Sequence, residues 1–245
     1  MKKYLQIINI RTFQVLLICL AISFLVLQYR IKYDYDLTVI SIAIIFPLVF
    51  TIRAAFRRRE KALEHLSRFR SSLLTVHYCF QANKKLDDEK RANIKNTIVQ
   101  ISESLIQFLS NPARGEIELR THLAAIFLFI KENEEVIKTS DAMKIFRFLK
   151  DVQGSTENLI AITSHRTPIS LRAYCQVFIY FFPVIYTPAL LDRLGNAASD
   201  WVVYTLSVVT GFILISLYNV QDQMEHPFDQ HGLDDIRISE FRFIG

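Results

Sequence analysis

The chain has 245 residues, is 51% hydrophobic with 19 Phe, and carries a formal net charge of +5. Its three cysteines, Cys19, Cys79 and Cys175, are scattered without Cys-x-x-Cys or Cys/His spacing, which excludes a zinc pattern and suits reduced, apolar packing residues. The basic excess gathers beside apolar segments and no nucleic-acid motif accompanies it, so no nucleic-acid partner is expected.

Four apolar stretches stand out, at 13–27, 37–52, 173–191 and 201–218. A membrane helix needs about 20 predominantly apolar residues, so with interfacial neighbours the expected spans are 12–29, 37–54, 173–191 and 201–218. Lys2, Lys3 and the first run imitate a signal peptide. No small-residue cleavage site follows "FLVLQYR", however, and a second run comes soon after, so the first run reads as a span.

Orientation follows from the basic residues at the span ends. Lys2, Lys3 and Arg11 precede the first span, Arg53, Arg57, Arg58, Arg59 and Lys61 follow the second, and Arg166 and Arg172 precede the third. On the opposite side, Arg30 and Lys32 are offset by Asp34 and Asp36, and Arg193 stands alone. The positive-inside rule then places both termini and the middle region in the cytoplasm. The expected organisation is a first hairpin of spans (1–56), a cytosolic helical domain (57–170), a second hairpin (171–219) and a cytosolic tail (220–245).

The middle region reads as helices. "EKALEHLSRFRSSLL" places Leu63, Leu66, Phe69 and Leu73 at three- and four-residue steps, and "RANIKNTIVQISESLIQFLS" does the same with Ile94, Ile98, Ile101, Leu105 and Leu109. Asn111-Pro112 and Gly115 break the second of these helices from a third, and Thr139, Ser140 and Asp141 offer an N-cap to a fourth. The residues from Arg53 to Lys61 continue the register of the second span without Gly or Pro, so that helix is expected to run on past the membrane. Pro168 should end the last cytosolic helix near Thr167. No strand pattern of useful length appears, and the fold class is all-α.

Motifs for chemistry are missing. The six histidines fit no HExxH or other metal spacing, and there is no GxSxG, P-loop or GxGxxG, so the chain is not read as an enzyme. The spans carry no central charge of the kind that marks proton relays. Pro47, Pro183 and Pro188 fall within spans, where a proline kinks or loosens a helix and is tolerated when neighbours satisfy the freed backbone.

Three pieces of sequence together resemble the bestrophin family, in its prokaryotic-type branch. "FTIRAAFRRREKALEHL" is similar to the family's long pore helix, with Ala54, Phe56 and Arg58 at matching places. "RTPISLRAY" resembles the family's lead-in to the third span, with Ser170 in place of a second proline. "EHPFD" resembles the family's E-D-P-F-G signature, with Glu225, Pro227 and Phe228 matching and His226 and Asp229 departing. The resemblance implies a homopentamer around one axial pore lined by the second membrane helix, a wide cytosolic vestibule, and a hydrophobic neck inside the membrane. Animal members are calcium-activated anion channels, and some bacterial members pass cations.

On that alignment Ile42, Phe46 and Phe50 occupy the neck. They recur every four residues along one side of a helix, drifting about 40° per step. By residue pattern alone the same stripe also suits packing against a neighbour or lipid. Five copies would give three apolar rings, which can gate by dewetting. Arg53, Arg57 and Arg58 follow at the cytosolic mouth.

In the tail, Glu225, Pro227 and Phe228 are expected to anchor a turn against the cytosolic helices. In animal bestrophins the acidic run after "PF" belongs to a calcium clasp. Here Asp229, Asp234 and Asp235 could offer carboxylates, but Gln230, His231 and Gly232 break the run. No other cofactor is expected. The leading expectation is a passive, pentameric ion channel of a cell membrane (a bacterial inner membrane if the source is prokaryotic), whose partners are copies of itself, the bilayer and small inorganic ions. The alternative is a non-conducting scaffold or regulatory protein with the same fold. A neck without fixed charge announces neither chloride nor cation selectivity.

Overall fold

The computed structural model describes residues 7–112, 115–165, 168–195, 199–232 and 234–243. Seven α-helices follow one another among them: α1 (Ile10–Gln28), α2 (Leu37–Ala82), α3 (Asp88–Ser110), α4 (Glu116–Glu132), α5 (Thr139–Ser164), α6 (Ile169–Leu194) and α7 (Asp200–Met224), then a 3-10 turn, Ile238–Phe241. No strand occurs among the described residues. By length and composition, four stretches of helix could cross a membrane: α1, part of α2, the region Thr139–Leu194, whose apolar part is α6, and α7. Lys2, Lys3, Arg166 and Thr167, which the sequence uses for orientation and for the end of α5, lie outside the described residues.

The chain divides into two compact units: Met1–Arg57 with Arg166–Glu225, and Arg58–His165 with His226–Gly245. In the first unit α1, α6 and α7 pack on one another. Asn9 caps α1: its side-chain oxygen accepts from the Thr12 amide at 3.2 Å, while the Thr12 hydroxyl oxygen accepts from the Asn9 amide at 3.3 Å. Asn219 of α7 reaches the same point, donating to the Ile7 carbonyl at 2.8 Å and to Thr12 Oγ1 at 3.0 Å. Val15, Ile179 and Ile215, one from each helix, are fully or almost fully buried together with Leu48 of α2. Gly211 lets α1 come close, since a Cβ there would lie 2.5 Å from Cys19 Sγ.

In the second unit α3 packs on α4, α5 and the 3-10 turn. The α3 stripe Ile94, Ile98, Ile101, Leu105 and Leu109 is buried, as its spacing predicts. On α2 the buried stripe is Ala62, Leu66, Phe69, Leu73, Val76 and Phe80, whereas Leu63 is 39% exposed. The buried face steps back four residues from Leu66, to Ala62, and Leu63, three back, is left outside. α3 ends at Ser110, and Gly115 opens α4 at φ 106°, a conformation that favours glycine. α5 starts one residue sooner than the expected cap. Lys138 is its N-cap, so Thr139, Ser140 and Asp141 form the first turn, where the Asp141 carboxylate suits the helix dipole and takes Lys144 at 3.3 Å.

Candidate functional site

Within the first unit, α2 has two contrasting sides. Ile44, Leu48, Thr51 and Ala55 are buried, and the Thr51 hydroxyl turns back on its own helix, donating to the Leu48 carbonyl at 2.8 Å. Ile42, Phe46 and Phe50 are 51%, 56% and 57% exposed in the single chain, as are Val39, Ile45 and Val49 beside them and, on α1, Phe13, Leu17 and Phe24, to a similar extent. The rings of Phe46 and Phe50 lie 5.9 Å apart at 55°. At 100° per residue Arg53 and Arg57 fall within the same arc of about 80° as these three, and both are exposed. An apolar strip thus ends in two cationic side chains on one side of one helix. Arg58 points elsewhere. It belongs to the second unit, is half-buried, and donates to the Ile162 carbonyl at the end of α5.

The "EHPFD" stretch is divided between the units. Glu225 ends the first, with 1% of its surface exposed. Its carboxylate accepts from Gln221 Nε2 at 2.8 Å and lies 3.1 Å from Arg172 Nη1. Beside it Asp222 receives both Arg172, at 2.5 Å, and Arg11, at 2.8 Å. Two arginines and two carboxylates therefore join the starts of α1 and α6 to the end of α7. Sequence reasoning uses Arg11 and Arg172 only as orientation charges and passes over Asp222. The available signal is the three-residue spacing of Asp222 and Glu225, which puts both acids on one helical face.

In the second unit Phe228 is 3% exposed, in a core with Ile236, Ile238 and Phe243. The turn between is closed by its own backbone: the Ile236 amide donates to the Pro227 carbonyl at 2.8 Å. Gln230, in the left-handed region at φ 62°, donates its side-chain amide to the Ile236 carbonyl at 2.8 Å. The acids are turn-formers. Asp229 Oδ1 accepts from the His231 amide at 3.0 Å, and Asp235 Oδ2 from the Gly232 amide at 2.8 Å. A Cβ on Gly232 would lie 2.4 Å from Asp235 Oδ1, so any larger residue there would have to move that carboxylate. Burial and a hydrogen bond with Asp229 push the Asp235 carboxyl up to about 6. Asp234 is exposed, and its carbonyl accepts from Arg59 Nε at 2.5 Å. Calcium takes six to eight oxygens; of the three acids, Asp229 and Asp235 each spend one oxygen on a backbone amide. Among the described residues no group of three or more His, Cys, Asp or Glu comes together as a metal site.

No protein-family model matches the chain, and no curated protein matches it by sequence. Solved structures do. A bacterial bestrophin homologue from Klebsiella pneumoniae, solved by zinc-SAD phasing, superposes with a TM-score of 0.78 at 16% identity, over 94% of this chain and 93% of that one. The fold is that of the bestrophin homologues. A point mutant of the Klebsiella homologue superposes with a TM-score of 0.77 at 15% identity, over 94% of both chains. A structure described only as a membrane protein gives 0.78 at 15% identity over 95% of each chain. The bestrophin fold therefore extends over nearly the whole chain.

Proposed function

We propose that the chain is a subunit of a homopentameric, bestrophin-like ion channel, conducting passively through an axial pore in a cell membrane, with both termini cytoplasmic. The observation that carries this reading is the exposed strip of Ile42, Phe46 and Phe50 on α2, in a chain with the bestrophin fold. Three large apolar side chains left open along one helix need a covering. Five copies facing an axis would supply it and would form a neck of three stacked rings. Such a tube offers no hydrogen bonds to replace those of bulk water, so a passing ion would shed hydration without compensation. Arg53 and Arg57 would stand at the cytosolic mouth, where their charge acts over about 8 Å at physiological salt.

In this reading the tail is a structural turn anchored by Pro227 and Phe228, with Glu225 held by Arg172, and no cofactor takes part. Small inorganic ions, the bilayer and further copies of the chain are the partners.

The test is purified protein in planar bilayers, with its assembly followed by native mass measurement. Pentamers that carry current, and larger, less gated currents in the Ile42/Phe46/Phe50→Ala triple variant, support the channel. A triple variant that assembles and inserts but conducts no better than wild type removes the neck. Pentamers that pass no ions in either form favour the scaffold reading.

A further inference from the structure

Each of the three prolines in the candidate spans leaves a backbone carbonyl without its helical partner, and at two of them, Pro47 and Pro188, a tyrosine hydroxyl from elsewhere in the first unit is bonded to it. In an α-helix the amide of residue i donates to the carbonyl of residue i−4, and proline has no amide hydrogen. Pro47 of α2 therefore cannot donate to Ala43. The Tyr174 hydroxyl of α6 donates to the Ala43 carbonyl at 3.3 Å. Pro188 of α6 cannot donate to Val184. The Tyr33 hydroxyl, between α1 and α2, lies 3.2 Å from the Val184 carbonyl and 3.1 Å from that of Ile185. In hydrocarbon an unsatisfied carbonyl has no water to turn to, so each hydroxyl replaces the donor that proline removed. The Tyr174 ring is held for this task against Phe178, with centroids 4.3 Å apart.

We infer that Tyr174 is a positioning residue for the apolar strip of α2: by bonding the Ala43 carbonyl it fixes the helix at the Pro47 break, between Ile42 and Phe50. A helix lacking one backbone bond is free to bend there. Phe46 immediately precedes the proline and Phe50 lies three residues beyond it, so a bend would change the angle between the two rings. The side chain that restrains the bend comes from a different helix, and a shift of α6 would release it. The consequence for conduction rests on the channel reading above; the hydrogen-bond substitution does not.

The test is a double-variant square on the full chain. Tyr174→Phe removes only the hydroxyl. Pro47→Ala restores the amide that serves Ala43. In the Pro47 background, Tyr174→Phe should lower the thermal midpoint of the detergent-solubilised protein by about 2–4 °C and alter the current through the bilayer. In the Pro47→Ala background the same change should have no effect on either, because the carbonyl is already satisfied. Equal shifts in both backgrounds, or no shift in either, overturn the inference. Should the Pro47→Ala chain fail to assemble, Pro47→Leu restores the same amide and carries the square. Coupling in the thermal midpoints of a protein that never conducts would leave the positioning role and remove the channel. Currents enlarged by the neck variants, with no coupling in the square, would do the reverse.

Discussion

Arg172 Nη1 lies 3.1 Å from the carboxylate of Glu225, whose side chain exposes none of its surface. The same arginine also holds Asp222, so one guanidinium joins the start of α6 to two acids on the last turn of α7. Removing one partner of a buried pair leaves the other charge desolvated and costs about 3–5 kcal/mol, whereas replacing both by apolar groups costs far less. Arg172→Ala should therefore lower the unfolding midpoint sharply, and the Arg172→Met/Glu225→Met double variant should recover most of the loss. Thermal unfolding in detergent decides; a double variant as unstable as the single one would show that the arginine matters through Asp222 alone.

The approach of α1 to α7 at Gly211 makes a second prediction. An alanine Cβ there would meet Cys19 Sγ at 2.5 Å but Cys19 Cβ only at 4.0 Å, which is ordinary contact. Overpacking of this kind costs about 1–3 kcal/mol. Gly211→Ala alone should destabilise the first unit, and adding Cys19→Ala should restore it by deleting the sulfur. A double variant no more stable than Gly211→Ala would place the strain elsewhere.

The third prediction concerns pH. The Asp235 carboxyl is raised from 3.8 to about 6 in the fold. Between those values the folded protein holds a proton that the unfolded chain has released, so this group's contribution to stability falls as pH rises from about 4 to 6. Asparagine mimics the protonated acid: its oxygen can accept from Gly232 and its amide can donate to Asp229. Asp235→Asn should match wild type near pH 4 and exceed it above pH 6, read as the unfolding midpoint across that range. In the same assay calcium should leave the wild-type midpoint unmoved. A calcium-dependent rise abolished by Asp234/Asp235→Ala would make the turn a cation site.

The extent of the helices is largely legible in the chain. The run from Arg53 to Lys61 without Gly or Pro carries α2 on past its span, Asn111 to Gly115 separates α3 from α4, and Pro168 separates α5 from α6, because each depends on neighbours in sequence. The start of α5 is misjudged by one residue, since Thr139 to Asp141 suit a first turn as well as a cap. The exposed strip of α2 is visible as a four-residue repeat, but its exposure is not, because the buried side of the helix is chosen by Val15, Ile179 and Ile215 on other helices. The Tyr174–Ala43 bond joins residues 131 positions apart, and the Arg11–Asp222 pair 211 apart. No local pattern announces either. The acidic tail looks like a ligand run in sequence. In the fold, backbone amides two and three residues away each take one oxygen of Asp229 and Asp235, and those partners cannot be read from the acidic run.

The second unit takes its last core residues from the far end of the sequence. Phe228, Ile236, Ile238 and Phe243 fill a core otherwise built from Arg58–His165, and the Phe243 amide donates to Ser102 Oγ at 2.8 Å. Between these two stretches lie α6 and α7. A ribosome making the chain must therefore deliver both of these helices before this unit can close its core, although domains ordinarily fold as units in order of synthesis. Until residue 243 emerges, the side chains awaiting Phe228 and Phe243 stand open to water. Synthesis of α6 and α7 thus precedes completion of the second unit, and a delay in making them would prolong the time the nascent helices are exposed to chaperones and proteases.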